Sequence, residues 1–102
     1  MESLAIFDNG GETFDRYTVV YLDEPAGSDP YGNARWLYLA MSERPFHPQG
    51  FGQHGEIDLF PSQLKQLRKG KGQRLFSYLG KRINFEDLPE DCKKAVGQDL
   101  EE

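Results

Sequence analysis

The sequence predicts an α+β fold: a small, mainly antiparallel sheet of three to five strands with one or two helices packed on one face. Three observations lead there. Short runs of aromatic and β-branched residues fill the first half of the chain, and Gly/Pro-rich turns separate them. Those runs follow one another with no helical segment between them, which is the pattern of a meander. Helical spacing appears only later, around residues 61–69 and 89–100.

Leu4 to Phe7 is a short apolar run closed by Asp8-Asn9-Gly10-Gly11, residues that tolerate positive φ and favour a reversal. Phe14 to Leu22 (FDRYTVVYL) reads as a second strand. Phe14, Thr18, Val20 and Leu22 share one side of it, and Tyr17, Val19 and Tyr21 the other. Residues 23–34, with two Pro and two Gly, form a loop. Arg35 to Ser42 is a third strand, with Leu37, Leu39 and Met41 alternating against Trp36, Tyr38 and Ala40. Residues 43–56 (ERPFHPQGFGQHGE) show neither period and read as one long Gly/His-rich loop, a kind of segment that often carries function. Pro61 opens a short helix that Lys65, Arg68 and Lys69 favour at its end, before Gly70. Residues 74–84 read as one bent strand or two short ones interrupted at Gly80. The last helix, about 89–100, carries Leu88, Cys92, Val96 and Leu100 as a buried stripe.

A chain of 102 residues fits a single domain, 1–102. It divides into a strand meander (about 3–42), the loop (43–56), a basic helix/strand segment (60–84) and the final helix. With 37% hydrophobic and 28% charged residues it is too apolar to be disordered. No apolar run is long enough for a membrane span. One cysteine, Cys92, forms no internal disulfide, which suits a reducing, cytoplasmic setting. The net charge of −5 conceals an asymmetry: residues 59–85 carry +7 and the remainder −12.

In a meander the first reversal and the end of the third strand meet at one rim of the sheet. The candidate site is therefore the rim formed by the DNGG turn and the 43–56 loop. Asn9, Gly10 and Gly11 would present backbone donors there, with Thr13 beside them. His47, Gln49, Gln53 and His54 would give directional hydrogen bonds, and Phe46 and Phe51 flat contact area. A second surface is the basic stretch with Lys65, Arg68, Lys69, Lys71, Arg74 and Arg82, interleaved with Phe76 and Tyr78 as a phosphate-tracking face would be. A metal-dependent hydrolase or phosphoesterase would draw on His47, His54 and Glu56, with Asp58 and Asp8 nearby. Their spacing matches no familiar zinc pattern, so no metal and no cofactor is expected. No nucleophile lies in a GxSxG-type context, and no catalytic residue is assigned.

Three blocks, DNGGETFDRYTVV (8–20), MSERPFHPQGFGQHGE (41–56) and LGKRINFEDLPEDCKKAV (79–96), resemble a family of small, functionally uncharacterised bacterial and phage proteins. The resemblance implies a phage or mobile-element context and brings no activity to carry over. It points to binding of a host component, as in counter-defence inhibitors that occlude a nuclease in the anti-CRISPR manner or sequester a nucleotide signal. The expected function is non-enzymatic binding of a host protein or a small nucleotide-like ligand. Nucleic-acid binding and metal-dependent hydrolysis are the alternatives.

Overall fold

The computed structural model describes residues 3–13, 15–28, 30–32, 34–42, 52–70 and 79–101. In chain order they form β1 (Leu4–Asp8), β2 (Tyr17–Tyr21), β3 (Gly27–Ser28), β4 (Ala34–Met41), β5 (Gln53–Asp58), α1 (Pro61–Arg68), β6 (Lys81–Ile83), a 3-10 turn (Phe85–Asp87) and α2 (Glu90–Glu101). The class is α+β, as the spacing predicts.

Every strand pairing is antiparallel. From one edge the sheet runs β5-β4-β2-β1-β6, and β3 continues the line of β2 along the same edge of β4. Six strands exceed the expected three to five, chiefly because the 43–56 loop ends earlier than its composition suggests. Gln53 and His54 begin a strand, with Ala40 opposite Gln53 and Leu39 opposite His54. The polar, glycine-containing sequence QHGEID has little strand propensity of its own. It is held by β4: the Tyr38 ring lies directly over Gly55, so closely that a Cβ there would collide with it. An aromatic ring covering a cross-strand glycine supplies the packing that glycine lacks.

The helices lie on opposite faces of the sheet, where one face was expected. On one side Ile6, Tyr17, Val19, Leu39 and Met41 pack with Leu88, Cys92, Ala95 and Val96, the inner surface of α2. On the other, Ala5, Phe7, Val20, Leu22 and Trp36 pack with Leu59, Leu67 and Leu79, the α1 side. Successive residues of β1 and β2 thus enter different cores, so both faces of the strands are apolar and each needs its own cover. Each fully buried Val, Leu or Phe contributes roughly 1.5–3 kcal/mol. Leu100 departs from the expected stripe and is 57% exposed, while Ala95 is buried. Each four-residue step overshoots a helical turn by about 40°. Two steps from Cys92 carry Leu100 out of the core.

Two arginines seat α1. Arg68 donates to the carbonyl of Leu22 at 2.6 Å through Nη2 and at 3.2 Å through Nε, with its guanidinium 5.3 Å from the centre of the Trp36 ring. Arg82 donates to the carbonyl of Leu67 (2.9 Å) in the last turn of α1 and to that of Leu4 (3.3 Å). Among the described residues no helix is long and apolar enough to cross a membrane.

Gly80 admits β6 to the sheet. Its φ of 89° is left-handed, and a Cβ would strike the carbonyl oxygen of Asp8. Gly80→Ala therefore meets both backbone strain and a collision with main chain that cannot swing aside. The expected loss of stability is about 2 kcal/mol or more by urea denaturation; a loss below about 0.5 kcal/mol would show that β6 does not depend on this approach.

Candidate functional site

Strand register brings the first reversal and the start of β5 to the same rim. Asp8 stands opposite Tyr17, Tyr17 opposite Met41, and Ala40 opposite Gln53. Lys81 of β6 also stands opposite Asp8. Of the candidates for this rim, Asn9, Gly10, Gly11, Thr13, Gln53 and His54 are described. Phe46, His47, Gln49 and Phe51 lie outside the described residues, as do Lys71 and Arg74 of the basic segment.

The reversal is an eight-residue loop, 9–16, closed by Asn9 N–H donating to the Arg16 carbonyl at 3.0 Å. Asn9 organises it from within. Its Oδ1 accepts from the backbone of Gly11 (2.8 Å) and Glu12 (3.2 Å), and its Nδ2 donates to Thr13 Oγ1 (2.7 Å) and the Asp15 carbonyl (3.1 Å). Thr13 Oγ1 in turn donates to the Asp15 carbonyl at 3.0 Å. The Gly10 N–H is taken by Asp8 Oδ1 at 2.8 Å. Gly10 and Gly11, with φ of 77° and 89°, serve this turn geometry. Their N–H groups are consumed by Asp8 and Asn9, so the arrangement is an Asx-type turn satisfied by its own side chains rather than an open anion nest.

Asp8 also anchors Arg16 through a two-point ion pair, Nε to Oδ1 at 2.8 Å and Nη2 to Oδ2 at 3.1 Å. The Arg16 hydrogen bond, aided by the Gly10 N–H and the guanidinium charge, holds the Asp8 carboxyl below its ordinary 3.8 against an opposing effect of burial.

Below this loop, on the α1 side of the sheet, lies a cleft of about 340 Å³. Asn9, Thr13 and Asp15 line it from the loop, Thr18 and Tyr38 from the strands, and Leu79 from the segment entering β6. Ala40, opposite Gln53, also lines it. His54 does not belong to it. Alternation turns His54 to the α2 face, where its Nε2 lies 2.8 Å from Asp99 Oδ1. The buried hydroxyl of Tyr21 is beside the same carboxylate and makes no hydrogen bond of good geometry among the described residues. Burial foremost, then Asp99, drives its pKa well up, so the phenol stays neutral. The rim therefore carries two separate sets of groups on opposite faces, and sequence reading merged them because it took Gln53 and His54 as loop. Tyr38, Thr18 and Asp99 are participants that sequence reading missed; the alternation of Trp36, Tyr38 and Ala40 was the available signal for Tyr38.

The metal reading finds no support in the placement of its described members. Glu56 lies 3.8 Å from Arg35, Asp58 3.2 Å from the same arginine, and His54 is engaged by Asp99. No three His, Cys, Asp or Glu side chains among the described residues could jointly hold an ion. In the basic segment, Arg68 and Arg82 are spent on main-chain carbonyls, which leaves Lys65 and Lys69 exposed on α1. Both guanidiniums keep their charge but are held to the main chain, and Lys81 at the start of β6 is exposed as well.

Because the folded pKa of Asp8 is depressed, its contribution to stability is present above the unfolded value. It is lost as pH falls below about 4 and through the folded value. Arg16→Ala should return the Asp8 carboxyl toward 3.8 and flatten the acid limb of stability. Carboxyl NMR titration checks this, and an unchanged Asp8 titration in the variant would exclude Arg16 as the cause.

Compared with family models, with curated proteins and with solved structures, the chain matches none.

Proposed function

We propose that the protein acts by stoichiometric, non-enzymatic binding, and that it engages its partner at the rim formed by the 9–16 loop and the paired strands β4 and β5. The observation that carries this reading is the 340 Å³ cleft beneath the loop. A pocket of that size, with an apolar floor and a few convergent polar groups, is the usual form of a recognition site. Tyr38, Ile57, Ala40 and Leu79 supply the apolar part, and Asn9, Thr13 and Thr18 the hydrogen-bonding groups. The internally bonded loop makes the wall rigid before binding, which lowers the ordering cost of association.

The described lining includes Asp15 and Glu56 and no lysine or arginine. Together with the occupied Gly10 and Gly11 donors, this favours a protein side chain, neutral or cationic, over a phosphate-bearing nucleotide. A host protein is accordingly the partner class proposed, with a cytoplasmic setting suited to the free, buried Cys92. Occupying a host surface is also the mode of the counter-defence inhibitors to which the sequence resemblance points.

Asp15 contributes its carbonyl to the loop, so Asp15→Arg changes the side chain at the cleft while sparing those hydrogen bonds. Mass spectrometry of material copurifying with the protein identifies the partner, and titration with each variant then tests the site. Asp15→Arg should weaken capture by about tenfold or more. The Lys65→Glu/Lys69→Glu pair should leave it unchanged. The reverse pattern, with nucleic acid retained by the native protein and released by salt, would replace this reading with one centred on α1.

A further inference from the structure

The two edges of the sheet are unlike. β6 is three residues long and carries Lys81 and Arg82, features that discourage edge-to-edge pairing. β5 has six residues, each opposite one of β4 in unbroken register, with no bulge, proline or lysine. No described residue pairs with its outer side.

The phase of that open edge follows from one hydrogen bond. Leu59 N–H donates to the Ala34 carbonyl (3.4 Å), which makes Leu59–Ala34 a hydrogen-bonded pair. Antiparallel pairs alternate, so Ile57, Gly55 and Gln53 also bond to β4. The N–H and C=O groups of His54, Glu56 and Asp58 consequently point outward. All three residues are exposed.

We propose that this edge is a self-complementary interface, joining two copies of the chain antiparallel about a two-fold axis at Gly55. Cross-strand neighbours must lie on the same face of a sheet, so the axis falls on a residue. Centred on Gly55, the register sets His54 opposite the second copy's Glu56, twice by symmetry, and both take part in hydrogen-bonded pairs. Gln53 meets the second copy's Ile57, and the glycines meet at the axis, where no side chains compete. Centring on Glu56 would bring two identical carboxylates together, and centring on Ile57 would set Glu56 against Asp58. Charge thus disfavours those two registers, and one centred on His54 would set the imidazoles against each other and leave Glu56 opposite Gly52, without the His54–Glu56 pairs.

A second observation lies on the same side of the molecule. Asp99 touches His54, and the next residue of α2, Leu100, is 57% exposed. A two-fold axis perpendicular to the sheet places both α2 helices on one face of the joined sheet, beside this edge. An apolar side chain exposed there is one that a second copy would cover, and none of the described residues covers it. The interface borders the cleft, sharing Glu56 and Ile57 with its lining, whereas Asn9, Thr13 and Asp15 of the 9–16 loop belong to the cleft alone, so Asp15→Arg tests partner binding and self-association is read separately.

Sedimentation velocity across a concentration series should reveal a dimer of the 11.7 kDa chain. Glu56→Lys, which sets Lys against His54 at both symmetric positions, should raise the dimer dissociation constant by about tenfold or more. Its circular dichroism should match that of the native protein. A native chain that stays monomeric into the millimolar range overturns the proposal, as does a Glu56→Lys dimer of unchanged strength. Hydrogen exchange on the native protein needs no variant. The amides of His54 and Glu56 should gain protection with rising concentration, and concentration-independent exchange at both would equally overturn it.

Discussion

Burial on both faces of the central strands is the constraint from which the rest of this architecture follows. Ala5, Phe7 and Val20 face one way, and Ile6, Val19 and Leu39 the other, all at most 3% exposed. A sheet that is apolar on both sides cannot leave either to water. The chain meets this with two short helices placed on opposite sides, neither long enough to be stable alone. β4 has three strand neighbours, β2 and β3 along one edge and β5 along the other, so its eight residues tie much of the fold together.

Much of this was legible in local pattern. The alternation in Tyr17–Leu22 and in Trp36–Met41 assigned each side chain to the face it occupies, because a period of two has no ambiguity once the strand is recognised. Pro61 and the basic residues near Gly70 marked α1 for reasons of backbone geometry and dipole. What was hidden depended on partners distant in sequence. QHGEID becomes a strand because β4 offers an edge and Tyr38 covers Gly55, neither of which appears within the segment. The placement of helices on two faces was present in the doubly apolar strands and lost by placing the helices on one face only. Leu100 followed from treating a repeat of four as though it were 3.6.

The candidate site shows the same division. That the first reversal and the end of β4 share a rim needed only chain direction, and the register sets Asp8 opposite Tyr17 and Tyr17 opposite Met41. What each residue does there required side-chain geometry. Gly10 and Gly11 look identical to a phosphate-cradling loop in sequence, and only the carboxylate of Asp8 and the amide of Asn9 decide that their donors are already used. Asp8 is central to this economy: one side chain fixes the turn, holds Arg16 and restrains the residue from which β6 is aligned.

Arg68 and Arg82 reach inward to the ends of three different elements, and their guanidiniums act as braces where a surface count would record charge. Selection acting on them is therefore selection on folding. Lys65 and Lys69 are exposed and could change the surface field without touching these contacts, whereas the contacts of Arg68 and Arg82 call for a planar, multiply donating cation. A lysine at either would keep the electrostatics and lose the architecture.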